Sequence, residues 1–166
     1  MLRNECKRSF ATKELFNSFV QCTLNKKFTI LWGMSYKIFI DGKEGTTGLK
    51  IFERFEGRSD LEIMQIDEDK RKDPVEKARL MNQADYVFLC LPDSAAIESA
   101  GLVTNPNTKI IDASTAHRTN PDWAYGFPEL DKSFRDKIVA SKRVAVPGCY
   151  ASGSIAICYP LVKAGI

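Results

Sequence analysis

An α/β fold built on a doubly wound parallel sheet is predicted by three features of the sequence. From residue 34 onward, short apolar runs of strand character alternate with stretches of helical spacing. Such alternation leads to parallel strands joined by right-handed helical crossovers. One run, Asp85-Tyr-Val-Phe-Leu-Cys-Leu91, is apolar almost throughout, as a strand covered on both faces has to be. A glycine-rich segment separates the first strand from the first helix, at the place where such sheets bind ligands.

The 166 residues suffice for one domain with a sizeable core, or for one domain and part of another. The composition, 44% hydrophobic and 27% charged, is that of an ordinary globular protein. No apolar run approaches the ~20 residues of a membrane span. The net charge is +3, but residues 1–33 carry six basic residues against two acidic ones, so the remainder is close to neutral. A near-neutral main body argues against a nucleic-acid-binding surface. The five cysteines form no CxxC pair, and a single histidine, His117, gives no zinc-ligand spacing, so no metal site is expected. An odd cysteine count without a disulfide pattern points to a reducing compartment, the cytoplasm.

Residues 1–33 stand apart from the rest. They are basic, contain Ser and Thr, and show no clean period. They read as an organelle transit peptide, or as a mis-started extension upstream of a true start at Met34. The second reading fits the way Met34-Ser-Tyr-Lys opens directly into a strand. Either way this segment is expected to be disordered and outside the fold. Residues 34–148 are read as a dinucleotide-binding domain and 149–166 as the start of a further one.

Tyr36-Lys-Ile-Phe-Ile40 is the first strand, and Leu49 to Phe55 has helical spacing. Between them Gly42, Gly45 and Gly48 give GxxGxxG. The first glycine permits a tight turn, the second lets backbone approach a pyrophosphate, and the third allows the helix to pack on the strand. The helix N-terminus then faces the phosphates. A glycine-rich turn without a ligand is the alternative. Asp60 to Ile66 is the second strand, followed by the charged run 67–73. An acid here binds the ribose of NAD, whereas a base such as Arg71 accommodates the 2′-phosphate of NADP. Lys70, Arg71 and Lys72 are equally readable as a solvated helix start. Residues 74–82 form a short amphipathic helix.

The third strand, 85–91, ends at Pro92, with Asp93 or Ser94 as cap of a helix over 95–103. Cys90 lies inside the strand and reads as core. Thr108 to Ser114 is the next strand and loop. His117 is either a proton shuttle or a hydrogen-bonded scaffold residue. Arg118 either clamps an anionic substrate or pairs with Asp112 or Glu129. Trp123, Tyr125 and Phe127 read as packing residues in a loop, and 131–141 as a polar helix. Val144 to Val146 is the last strand. Cys149 follows Pro147 and Gly148 and opens what reads as a buried helix. A cysteine there sits among unpaired N–H groups at the positive end of the helix dipole. Both favour the nucleophilic thiolate; a small buried apolar cysteine is the alternative.

Five blocks in order carry a family resemblance: Ile40-Asp-Gly-Lys-Glu-Gly-Thr-Thr-Gly-Leu49, Cys90-Leu-Pro-Asp93, Asp112-Ala-Ser-Thr-Ala-His-Arg118, Tyr125-Gly-Phe-Pro-Glu-Leu130 and Pro147-Gly-Cys-Tyr-Ala151. On these residues, 34–166 resembles the N-acetyl-gamma-glutamyl-phosphate reductases of the shorter bacterial type, within the semialdehyde dehydrogenases. The resemblance implies a Rossmann-like NADP-binding domain and an acyl-phosphate substrate of arginine biosynthesis. It implies Cys149 as the nucleophile, forming a thioester that NADPH reduces to the aldehyde. It implies the glycine loop, with Gly42, Gly45, Thr46, Thr47 and Gly48, as the carrier of the NADP phosphates; Arg71 and Pro92 are the further residues expected at the cofactor. Ser114 and Arg118 are those for substrate. It implies a homo-oligomer in the full-length form.

Two departures accompany the resemblance. Val146 stands where the family often has Asn, which predicts a weaker orienting hydrogen bond. The family's second domain, with its catalytic histidine, follows the position of Ile166, and His117 does not match that histidine. The expectation is therefore a truncated reductase that binds NADP but does not turn over alone. The alternatives are an aspartate-semialdehyde dehydrogenase-like enzyme, a non-catalytic NADP-binding module, and a decayed gene product.

Overall fold

A computed structural model describes residues 35–166. The 1–33 segment lies outside the described residues. Six parallel strands make one sheet: β1 (Tyr36–Asp41), β2 (Leu61–Met64), β3 (Tyr86–Leu89), β4 (Lys109–Asp112), β5 (Ala124–Tyr125) and β6 (Arg143–Ala145). Their spatial order is β2-β1-β3-β4-β6-β5. The helices are α1 (Thr46–Phe55), α2 (Pro74–Gln83), α3 (Asp93–Gly101), α4 (Lys132–Ala140) and α5 (Cys149–Lys163).

Strand periodicity sorts the core onto the two faces of this sheet. Ile38, Ile40, Phe88, Ile111 and Val144 pack on one face with Ile51 and Phe55 of α1 and Ile138 of α4. The intervening residues Phe39, Val87, Leu89, Ile110 and Ala145 pack on the other, with Leu80 and Met81 of α2 and Ala96 and Ala100 of α3. Helices therefore cover both faces, which is what doubly wound means physically. It explains why all four residues of β3 are buried. In α1 the buried positions 48, 51 and 55 recur at helical spacing.

Local chemistry fixes several helix starts. Pro74 enters at the first turn of α2, and the Asp73 side chain accepts from the Val75 N–H at 2.9 Å. Asp131 does the same for α4, accepting from Ser133 at 2.9 Å.

The structure departs from the sequence reading in several places. Helices α1 and α3 begin two or three residues earlier, at Thr46 and Asp93. Neither Asp93 nor Ser94 caps α3; Pro92 holds that position, and Asp93 turns to Thr115 instead. The basic run contains a 3-10 turn, Glu68–Lys70, ahead of α2. Within the aromatic segment, Ala124 and Tyr125 form β5, because they meet Val144 and Ala145 of β6 in register. The largest difference is α5. It is a helix, but no residue of it is buried. Among the described residues its contacts run to α4: Phe134 against Tyr159 edge to face, and Lys163 to Asp131.

Candidate active site

In a parallel sheet every strand ends on the same edge. The chain leaves β1 for β2 on one side, while β3 lies on the other. That divergence opens a crevice at the carboxyl ends of β1 and β3, and the glycine loop occupies it. Gly42 has φ of +83°, and a Cβ there would lie 2.3 Å from the Cys90 carbonyl oxygen at the end of β3. A Cβ on Gly48 would lie 2.2 Å from the Gly42 carbonyl oxygen. Gly45 donates its N–H to that same oxygen at 3.1 Å and caps α1. The first-turn N–H groups of α1, including those of Thr46 and Thr47, have no intrahelical partner and point out of the loop. Thr46 and Thr47 are exposed. A loop drawn this tight against β3, with free helix donors above it, fits a pyrophosphate.

Two neighbours frame this loop. Asp41, the buried last residue of β1, accepts from Lys77 of α2 at 3.0 Å and from Ser99 of α3 at 3.0 Å. It pins both helices of one face to the strand that enters the loop. Arg71 pairs with Glu44 of the loop at 3.1 Å and with Glu68 at 3.7 Å. Pro92 sits exposed at the start of α3.

The end of β4 carries a second cluster. Asp112 is fully buried. Its carboxylate accepts from the Ser114 N–H at 2.9 Å, the Ser114 hydroxyl at 2.6 Å and His117 Nδ1 at 2.7 Å. The His117 ring stacks on Trp123, with centroids 3.9 Å apart and planes 13° from parallel. His117 thus makes the hydrogen-bonded, packed contacts of the scaffold reading. Thr115 donates its N–H to Asp93 at 2.9 Å, and its hydroxyl donates there as well. Those two bonds hold the Asp93 carboxyl below its usual range.

Arg118 joins this loop to the end of β6. Its Nε donates to the Val146 carbonyl at 2.9 Å and Nη2 to the Ala113 carbonyl at 3.3 Å. Of the two readings of Arg118, pairing with Asp112 or Glu129 is not found among the described residues: Asp112 is occupied and the guanidinium is held by main chain. Residue 146 thus orients Arg118 through its carbonyl, a group that Val supplies as well as Asn. A Cβ on Gly148 would fall 2.7 Å from Nη1 of Arg118, so the absence of a side chain at 148 lets the guanidinium lie there. Cys149, the next residue, is exposed and is the first of α5. Cys90, by contrast, lies one residue past β3 and packs against the core. Burial first, then the charges of Asp112 and Asp41, push its thiol up to about 12.

The residues singled out from sequence therefore form two groups on one edge. Gly42, Gly45, Thr46, Thr47, Gly48, Arg71 and Pro92 surround the crevice, while Ser114, Arg118 and Cys149 gather beyond β4. β1 and β6 are three strand spacings apart, about 14 Å. Sequence reasoning did not single out Asp41 and Asp112 as organisers. Each is an acid that ends its strand directly after an apolar run, Ile38-Phe39-Ile40 or Ile110-Ile111, and that was the available signal. Among the described residues, no group of His, Cys, Asp and Glu is placed to hold a metal ion. No described helix is long and apolar enough to cross a membrane.

Comparison with known proteins bears on the same residues. N-acetyl-gamma-glutamyl-phosphate reductase 2 of Pseudomonas putida is 52% identical over 129 residues, covering 78% of this chain and 41% of that protein. N-acetyl-gamma-glutamyl-phosphate reductase of a Chelativorans species is 53% identical over 133 residues, 80% of this chain and 43% of the other. The chain thus spans less than half the length of these relatives. Aspartate semialdehyde dehydrogenase II of Vibrio cholerae superposes with a TM-score of 0.56 at 14% identity, over 79% of this chain and 47% of that one, a likeness of fold alone. The sequence model of the family "Semialdehyde dehydrogenase, NAD binding domain" matches residues 39–138. That span runs from β1 through α4 and contains the glycine loop, so a nicotinamide dinucleotide is the cofactor class. With more than half of its length in that match, the chain belongs to the semialdehyde dehydrogenase family, through its NAD binding domain.

Proposed function

We propose that the whole protein reduces N-acetyl-gamma-glutamyl phosphate to N-acetylglutamate 5-semialdehyde with NADPH, in cytoplasmic arginine biosynthesis. One observation carries the chemistry. An exposed cysteine opens α5, beside a guanidinium whose back is tied to two carbonyls. About half-identity to reductases of that name supports the substrate.

Cys149 Sγ attacks the acyl carbon, the C–O bond to phosphate breaks, and inorganic phosphate leaves a thioester on Cys149. The N-terminal N–H groups of α5 favour the thiolate that attacks. Arg118 turns its remaining N–H donors toward the anionic substrate, and Ser114 lines the same end of the edge. Bound NADPH supplies the hydride that converts the thioester to aldehyde and frees the cysteine. Gly42, Gly45, Gly48, Thr46, Thr47 and Pro92 hold the pyrophosphate, and Arg71 meets the 2′-phosphate that separates NADP from NAD. Residues 34–148 act as the dinucleotide domain, and 149–166 begin a catalytic domain. The working form is a homo-oligomer.

The test is phosphate-dependent NADP reduction by the whole protein, with N-acetylglutamate semialdehyde and aspartate semialdehyde compared by kcat/KM. The expected result favours the acetylated aldehyde, and Cys149→Ser abolishes it. Preference for aspartate semialdehyde, or full activity in Cys149→Ser, overturns the reading.

A further inference from the structure

We propose that His117 is a positioning residue: through Asp112 and Trp123 it fixes the loop after β4 so that the Arg118 guanidinium stays against Gly148, beside Cys149. The proposal deepens the reading of Cys149 as nucleophile and rests on it.

His117 makes the contacts of a structural residue. It is buried, its Nδ1 is bound to Asp112 at 2.7 Å, and one ring face lies on Trp123 at 3.9 Å. The carboxylate accepts, so Nδ1 donates. What these contacts do is lock the residue immediately before Arg118. Asp112 ends β4, so its position is set by the sheet, through pairing with Leu89 of β3 and Ala145 of β6. A loop of five residues is therefore drawn back onto a rigid strand at its far end. Trp123 precedes β5 directly, so the stack joins that loop to the sheet a second time. The other anchors, Ser114 to Asp112 and Thr115 to Asp93, act earlier in the loop. The Arg118 N–H reaches back to the Thr115 carbonyl at 3.4 Å, so the backbone on both sides of residue 118 is set from the loop. Among the described residues the guanidinium hydrogen-bonds to neutral carbonyls, those of Val146 and Ala113. Carbonyl bonds alone are replaceable by water, so the placement of Arg118 depends on the backbone beneath it.

The readout is the charge felt at Cys149. Iodoacetate and iodoacetamide are similar in size and differ in charge. Their rate constants are measured on the full chain in low salt, by mass spectrometry of the peptides bearing Cys149 and Cys158. Cys158 is exposed on the same helix and serves as the internal reference. The iodoacetate-to-iodoacetamide ratio is expected to be about threefold higher at Cys149 than at Cys158, the order of effect that one nearby unit charge has in water. Arg118→Gln and His117→Phe each bring it down to the Cys158 value. His117→Asn, whose amide nitrogen takes the place of Nδ1, retains most of it. A cooperatively melting His117→Phe with the full ratio overturns the proposal, as does an unmodified chain with equal ratios at the two cysteines. Should His117→Phe not fold, His117→Asn is set against His117→Gln, whose nitrogen sits at the Nε2 place. The proposal expects the ratio kept in the first and lost in the second, and equal ratios overturn it. The ratio needs no substrate, cofactor or turnover. Failure of the reductase assay with this pattern intact strikes the activity alone, and an active enzyme lacking the pattern strikes only the positioning role.

Discussion

Three glycines on the binding edge make room for different neighbours, and this separates their roles. At Gly42 and Gly48 the atoms in the way are main-chain carbonyls, and Gly42 also has a left-handed φ. Backbone cannot step aside cheaply. Gly48→Ala is therefore expected to cost about 1–3 kcal/mol, with cofactor affinity falling along with it, as thermal unfolding and NADPH fluorescence titration will show. At Gly148 the atom in the way is the end of a flexible arginine. Gly148→Ala is expected to leave stability within about 0.5 kcal/mol, while raising KM for the acyl phosphate in the whole protein. A large loss of stability would show that Arg118 is not free to give way. Two cysteines differ by the same kind of reasoning. Cys90 has its thiol pushed up to about 12 by burial and by the charges of Asp112 and Asp41, whereas Cys149 is exposed. Iodoacetamide at pH 8 should label Cys149 and leave Cys90 nearly untouched, as peptide mass spectrometry will read directly.

Elements differ in how firmly they are held. α4 is seated by Ile138, which is fully buried between strands of one face. Ile138→Ala removes those contacts and leaves a cavity, so a loss of about 2–5 kcal/mol is expected in denaturant unfolding. α5 has no such residue. Among the described residues its far end is tied by Lys163 to Asp131, the cap of α4. The Lys163 bond, then those from Ser133, lower the Asp131 carboxyl to about 2 from its ordinary 3.8. A lowered acid stabilises the folded form above its unfolded value and loses that contribution as pH falls through the folded one. Amide exchange in the last turns of α5 should therefore speed up as pH drops from 3.8 toward about 2, after correction for the intrinsic rate. Added salt should weaken the same contact at neutral pH, since it is exposed and screened. Exchange in α5 that ignores both pH and salt would mean that something else holds it.

At the scale of the whole molecule, parallel pairing is what makes the binding edge. Every strand ends on one side, so residues as far apart as Gly42, Asp93, Arg118 and Cys149 converge without any local signal linking them. The alternation of strands and helices, the glycine spacing and the Pro-Gly-Cys turn were legible in the sequence. Each depends on backbone conformation or a two- or 3.6-residue period, which neighbours along the chain dictate. The strand character of Ala124 and Tyr125 was not legible, because two residues carry no period and become a strand only by meeting β6. The burial expected of α5 failed for a related reason. Apolar residues show that a helix has a face to cover, and covering it takes a partner that a sequence window does not contain. The partners of Arg118 followed the same rule. Charge suggested Asp112 or Glu129, but Asp112 was already filled by Ser114 and His117, and two carbonyls brought near by β4 and β6 took their place. The sequence by itself determined the fold class and marked the candidate residues, the glycine loop and the cysteine after Pro147-Gly148, since those follow from side-chain type and local spacing. Only the tertiary structure decided which of them meet, because strand order and register, set by burial on both faces of the sheet, fix distances that no local pattern encodes.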